Sequence, residues 1–250
     1  SAITDPDFRG SDWVDELNGS FIFAAPGTDQ FYLSAIDNGT AFDALDFSSS
    51  DARPDNIVTF RVHKRELFLF GTRSCEVWID NGGVDFPLTR YNSTPIDIGI
   101  VGNRAAATCA DAICFVGNTD RGRGYVYEMR SHQPVRISSQ AAEEAIAAST
   151  DISQCRLWSY HVAGAEFLGV WAPGMLTVWV FEFSTRQWHE RAEFASGAWT
   201  PLRAEFVTFV AGQQYALGGT GIYRMADDVY TIAGDPHLSL LRVLEQHPEY

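Results

Sequence analysis

An aromatic residue returns at Tyr32, Trp78, Tyr127, Trp179 and Tyr223, at intervals of 46, 49, 52 and 44 residues. Each lies in the second half of the same small unit: an apolar run, a turn with glycine or polar residues, then a run carrying the aromatic. The instances are Phe21-Ile-Phe23 with Phe31-Tyr-Leu33, Leu67-Phe-Leu-Phe-Gly71 with Val77-Trp-Ile79, and Ile113-Cys-Phe-Val-Gly117 with Val126-Tyr-Glu128. Phe167-Leu-Gly-Val-Trp171 with Val178-Trp-Val180 and Tyr215-Ala-Leu-Gly218 with Ile222-Tyr-Arg224 complete the series. Runs this short, alternating or apolar and closed by Gly, Asn, Asp or Ser, are strands rather than helices. An interval of this length holds four short antiparallel strands, the period of a propeller blade. The expected fold is all-β: a β-propeller of five to six four-stranded blades. A sixth blade needs 1–13 combined with the tail around 237–243, closing the ring by strand exchange. An irregular β-sandwich with an accidental aromatic period is the alternative.

The rest of the chain agrees with a strand-rich fold. Aromatics reach 13%, which suits strands. The tightest turn candidates are Asn38-Gly39, Asn81-Gly-Gly83, Arg121-Gly-Arg-Gly124, Pro173-Gly174 and Gly218-Gly219, where glycine supplies positive φ. One segment departs from the pattern. Residues 139–149 are rich in Ala and Glu, with Ser138 or Ser139 as N-cap and Glu143 and Glu144 near the positive end of the helix dipole. They predict one short inserted helix. The 250 residues are expected to form a single propeller domain over 1–250. The closing Gln246-His-Pro-Glu-Tyr250 reads as cut rather than capped, so a longer parent chain is expected.

Charge and motifs narrow the function. The net charge is −14, which argues against a basic nucleic-acid clamp and against docking on an anionic membrane. The apolar, uncharged stretch Phe167 to Phe181 is too short to span a bilayer and is broken by Pro173 and Gly174. The opening at Ser1 shows no signal-peptide pattern. Cys75, Cys109, Cys114 and Cys155 include no CxxC pair, so buried reduced thiols are expected and no metal site. No GxSxG, HExxH, Walker or dinucleotide motif is present. The six histidines are scattered, and His189 reads as a strand residue. The carboxylates crowding the first quarter, from Asp5 to Asp55, invite comparison with a glycosidase pair. Ser34-Ala-Ile-Asp37-Asn-Gly39 approaches the sialidase Asp-box, but its aspartate arrives one residue late and the pattern does not recur. A solvated acidic loop is the better reading. The sequons at Asn18, Asn38 and Asn92 matter only in a eukaryotic secreted protein. The expectation is a protein that is not an enzyme and takes no cofactor.

Several stretches are familiar together. They are Pro54-Asp-Asn-Ile57, His63-Lys-Arg-Glu-Leu-Phe-Leu-Phe-Gly71, Glu76-Val-Trp78 and Gly82-Gly-Val-Asp-Phe-Pro87. To these add Asn118-Thr-Asp-Arg-Gly-Arg-Gly124, Pro134-Val-Arg-Ile-Ser138 and Trp188-His-Glu-Arg191. With Ile3-Thr-Asp-Pro-Asp-Phe8, the pattern resembles the packaged-DNA stabilisation proteins, or tail hub proteins, of short-tailed bacteriophages and prophages. The likeness runs from Ile3 to about Leu244. It implies a virion structural protein assembled in the bacterial cytoplasm. It further implies a homo-oligomeric ring, generally a hexamer, below the portal and its adaptor. That ring would close the DNA exit channel and anchor the tail needle or tailspikes, with DNA passing unbound. It implies no catalytic residue. A carbohydrate-binding or glycoside-hydrolysing propeller is the competing class.

Candidate contact residues follow from turn and repeat positions. The loops Asn81–Pro87 and Arg121–Gly124 are expected at interfaces, with Asp85, Arg121 and Arg123 making cross-subunit pairs. The repeated aromatics are expected in the core. Trp13, Trp158 and Trp199 fall outside the repeat frame and are candidate interface residues, because aromatics are enriched there.

Overall fold

A computed structural model describes residues 3–50, 53, 55–83, 86–91, 95–109, 111–120, 122–162, 164–195, 198–201, 206–218, 221–225, 231–232, 235–236 and 239–243. It divides into two compact units. The first holds residues 1–103, 117–123 and 129–135; the second holds 104–116, 124–128 and 136–250.

The secondary structure is a run of antiparallel sheets in chain order. The first sheet is β1 (Val14–Leu17), β2 (Ser20–Ala24), β3 (Gln30–Ala35) and β4 (Asn38–Ser49). The second is β5 (Ile57–His63), β6 (Glu66–Gly71), β7 (Cys75–Asp80) and β8 (Leu88–Arg90). The third comprises β9 (Gly99–Ile100), β10 (Ala106–Thr108), β11 (Ile113–Thr119), β12 (Gly122–Arg130) and β13 (Gln133–Arg136), with β9 paired to β11. After α1 (Gln140–Ala147) comes the fourth: β14 (Arg156–Val162), β15 (Ala165–Trp171), β16 (Val178–Glu182), β17 (Gln187–Ala195) and β18 (Ala198–Pro201). The fifth has three described strands, β19 (Phe206–Val210), β20 (Gln213–Gly218) and β21 (Gly221–Arg224). A short hairpin of β22 (Thr231–Ile232) and β23 (Asp235–Pro236) follows. Finally β24 (Ser239–Val243) pairs along β17. The up-and-down four-stranded sheets are propeller blades, and the fold class is the one the repeat predicts. The recurring pair of runs is the second and third strand of each blade, and Tyr32, Trp78, Tyr127, Trp179 and Tyr223 all lie on third strands.

Within each unit the sheets pack by one rule. The face of the first sheet carrying Leu17, Ile22 and Leu33 is covered by Phe60, Leu67, Leu69 and Trp78 of the second sheet. The opposite face, with Phe23 and Tyr32, is capped by Phe8, whose ring meets Phe23 edge-on at 5.5 Å. In the second unit, Trp158, Tyr160 and Phe167 of the fourth sheet are covered by Val207 and Met225. Each such face is thus covered by the sheet next in the chain. Period-2 alternation makes this possible, since every strand must offer one apolar side to its predecessor and one to its successor.

Turn chemistry explains most element ends. Asn18-Gly19 and Ala211-Gly212 take positive φ at both positions, the geometry that matches hairpin twist. Lys64 and Arg65 (φ 49° and 65°) and Ser131 and His132 (φ 45° and 63°) do the same without glycine. These two turns carry no glycine signal in the sequence. Asn38-Gly39 is a correction: the turn lies two residues earlier, at Ile36-Asp37, and Asn38-Gly39 opens β4. Glycine serves there because Phe21 packs flat against it, leaving an added Cβ only 2.7 Å from the Phe21 ring. A non-glycine residue at positive φ carries a steric cost that glycine avoids. Arg65→Gly is therefore expected to raise stability by about 0.5–1 kcal/mol, read as a Tm increase of roughly 2 °C by calorimetry.

The inserted helix runs over Gln140–Ala147, inside the predicted 139–149. Ser139 is its N-cap and accepts from Ala142 N at 3.3 Å. Glu143, in the first turn, accepts from Arg136 Nε at 2.6 Å and from Ser138 Oγ at 2.6 Å. Arg136 in turn stacks over Tyr125 at 4.3 Å. Ala142 and Ile146 face inward, with Ile146 packed beside Gly124.

Candidate interaction surfaces

The structure sorts the predicted contact residues. Asp85 and Arg121 lie outside the described residues. Arg123, on β12, is exposed. Trp199 sits on β18 opposite Phe194. Trp158 belongs to the core: it is 3% exposed, within the fourth sheet, facing Gly169 across the strand pair. An added Cβ at Gly169 would stand 2.5 Å from the Trp158 indole, so the glycine is the space the ring occupies. The repeat frame missed this because Trp158 falls on a first strand, whereas the frame counted second and third strands.

Trp13 is half-buried and holds a cation. The Arg61 guanidinium lies 3.7 Å above its ring and donates to Thr59 Oγ1 at 2.9 Å and to Phe60 O at 2.6 Å. Burial pushes the Arg61 pKa down to about 10, and the Asp15 charge pulls against that shift. Arg61 therefore stays charged at neutral pH. Asp15 itself accepts from Val62 N at 2.8 Å, tying β1 to β5. The indole gives the buried guanidinium a favourable face, so Trp13 has a structural task within the first unit.

The acidic first quarter is not simply a solvated loop. Asp5 accepts from Phe42 N at 3.1 Å, which fixes the N-terminal segment against β4. Asp55 accepts from Thr72 N and Thr72 Oγ1 at 2.9 and 2.6 Å, from Arg73 N at 2.8 Å, and from Ser74 N and Ser74 Oγ at 3.1 and 3.0 Å. Burial pushes Asp55 up, but these five donors outweigh it and hold the carboxyl below the ordinary carboxylate range. Sequence spacing could not reveal this, because the donors lie 17–19 residues away.

Gly83 and Pro87, from the Asn81–Pro87 loop expected at an interface, help to line a cavity of about 260 Å³ in the first unit. Gly82 N donates to Asp80 Oδ1 at 2.8 Å, Gly83 N to Asn81 Oδ1 at 2.9 Å, and Asn81 N to Pro87 O at 2.9 Å. Leu17, Leu33 and Leu88 form the apolar part of the lining, with Asp46 and Asp80 among its polar residues. Asn18 Nδ2 donates to Asp80. Burial, and then the neighbouring Asp43 charge, raises the Asp46 pKa. Among the described residues no group of three His, Cys, Asp or Glu side chains has a metal-holding arrangement. No helix among them is long and apolar enough to cross a membrane.

His189 is buried in the fourth sheet, accepts from Arg191 Nε at 3.0 Å, and meets Phe167 edge-on. Burial, reinforced by the Arg191 charge, lowers its pKa to about 4. In the unfolded chain His titrates near 6.5. Between those values the unfolded state binds a proton that the folded state refuses, so acid favours unfolding. Stability is expected to fall as pH drops from about 6.5 to about 4. His189→Gln should flatten that window in a Tm–pH series.

Residues 1–222 match a protein family described as bacteriophage P22 Gp10, β-propeller. The chain belongs to this phage stabilisation family. The match covers the first four sheets and reaches the middle of β21. Among proteins of curated function, none matches the sequence. Solved structures offer distant likenesses. PorZ, a surface component of the type-IX secretion system of Porphyromonas gingivalis, is 14% identical with a TM-score of 0.43, over 94% of this chain and 26% of that one. The computationally designed Ika8 protein is 11% identical with a TM-score of 0.41, over 85% of this chain and 57% of the other. The WD40 domain of SCAP from fission yeast is 12% identical with a TM-score of 0.43, over 80% and 46%. The chain thus spans about a quarter of the first and about half of the other two. Family membership makes this a phage stabilisation protein and a virion component, and it points to a structural rather than an enzymatic role.

Proposed function

We propose that the protein is a ring-forming hub of a short-tailed phage. It closes the DNA exit channel below the portal and its adaptor, stabilises the packaged DNA, and anchors a needle or spikes. The observation that carries this reading is the family match over residues 1–222. The physical features are consistent with it. Rigid sheets with short hairpins present many loops without large rearrangement. A net charge of −14 disfavours adhesion to passing DNA, because like charges repel. The carboxylates that suggested a glycosidase are in part committed elsewhere: Asp5, Asp15 and Asp55 accept backbone N–H groups.

The test is to mix the full-length protein with portal–adaptor rings of the same phage and measure the complex by size exclusion with light scattering. A saturable complex with a fixed copy number per ring is expected. Intact rings that elute free of a well-folded protein would overturn the hub reading and leave only the family assignment.

A further inference from the structure

The cavity in the first unit has two kinds of lining. Leu17, Leu33 and Leu88, all buried, supply apolar surface. Asp46 and Asp80 bring two carboxylates to the same space. The volume of about 260 Å³ is far above the roughly 10–15 Å³ that one water needs and a little below the ~300–1,000 Å³ of pockets for drug-sized molecules. There is room for a small organic ligand. Among the described residues that line the cavity there is no Lys, Arg or His, so the lining offers no positive charge of its own. Asp80 is oriented from both sides: one oxygen accepts from Asn18 Nδ2, the other from Gly82 N at 2.8 Å. No hydrogen bond from a described residue reaches the Asp46 carboxylate. Its pKa is raised by burial and by the Asp43 charge, the two penalties that a bound cation relieves. Ser34 has spent its hydroxyl, which accepts from Phe21 N at 2.9 Å and donates to Ala35 O at 3.0 Å.

We propose that this cavity binds a primary ammonium carried on a short aliphatic chain, with Asp46 and Asp80 accepting from the ammonium and Leu17, Leu33 and Leu88 packing on the chain. The other ligand classes fit less well. An anion meets two like charges. A neutral apolar ligand strips water from the carboxylates and gives them no partner. A metal ion needs several oxygens around it, and among the described residues no three His, Cys, Asp or Glu side chains are arranged to hold one. An alkylammonium satisfies both linings. Its head carries three N–H donors and a charge for the carboxylates, and its methylenes gain by leaving water. The net charge of −14 raises the concentration of any cation near the chain.

The test is calorimetric titration of the full-length protein with n-pentylammonium chloride, n-pentanol and sodium pentanoate, which share a chain and differ in the head. Pentylammonium is expected to bind at one site per chain with a dissociation constant on the order of 1 mM, the scale open to so small a ligand. Pentanol is expected to bind at least ~10-fold more weakly, and pentanoate not to saturate, because only the ammonium makes charge-assisted hydrogen bonds to the carboxylates. Asp46→Asn and Asp80→Asn should each weaken pentylammonium at least ~10-fold while melting as cooperatively as the parent. Asp12→Asn removes an exposed carboxylate outside the lining and should change nothing. Pentanol binding as tightly as pentylammonium shows that the carboxylates take no part and overturns the proposal, whatever the variants do. Equal losses in all three variants reduce the effect to diffuse attraction and overturn it too. So does the absence of saturable pentylammonium binding to the parent protein.

Discussion

Asp55→Ala is expected to lower the unfolding free energy by about 3 kcal/mol in urea titration, with no change in m. The carboxylate accepts five hydrogen bonds from Thr72, Arg73 and Ser74. Those residues form the turn between β6 and β7. The turn is also a packing surface: Asn118 Nδ2 donates to Thr72 O at 2.8 Å, and Gly99 lies against the Thr72–Arg73 peptide. Losing Asp55 leaves backbone donors without their acceptor and loosens a turn on which other segments rest. The effect has a pH signature. The folded carboxyl sits below its unfolded value, so its contribution is complete above about pH 4 and fades as pH falls through the folded pKa. The destabilisation caused by Asp55→Ala should therefore shrink in acid. A cost that is constant from pH 7 to pH 2.5 would show that the turn is held by packing and not by the charge.

Trp158→Ala is expected to cost about 4 kcal/mol, the range for removing a large buried aromatic. The ring is 3% exposed and lies among Tyr160, Phe167, Val178 and Val180. Calorimetry is expected to show a Tm drop of roughly 10 °C. Gly169→Ala tests the same contact from the other side. Its added methyl meets the indole at 2.5 Å, so it is expected to cost about 1–3 kcal/mol by overpacking. Placed in one chain, the two substitutions should cost less than their sum, because each removes the other's problem. Strict additivity would mean that the ring and the glycine do not share the space the structure gives them. A Trp158 variant of unchanged stability and altered assembly would return the residue to the list of interface candidates.

How much was legible beforehand differs by feature. The aromatic period exposed the blade framework because the third strand of every sheet carries a large ring at the same place in the repeat. Tyr32, Trp78 and Trp179 are buried, whereas Tyr127 and Tyr223, also expected in the core, are half-buried. The helix was legible because its cap and Ala/Glu composition are local. Turns without glycine, at Lys64-Arg65 and Ser131-His132, were not, since hairpin twist forces their φ angles from outside the turn. The binding surfaces were least legible. Asp55 read as one of a solvated acidic group, Trp13 as an interface candidate, and Arg61 carried no signal, because their partners are distant in sequence and adjacent only after folding.

The sequence alone determined the strand period, the all-β class, the inserted helix and the family. Each of these is a local or periodic property, set by side-chain alternation and by caps within a few residues. Only the tertiary structure decided which of the apolar and acidic residues are spent internally. Trp158 became core and Asp55 a turn clasp because sheet stacking brings residues together that the chain keeps apart.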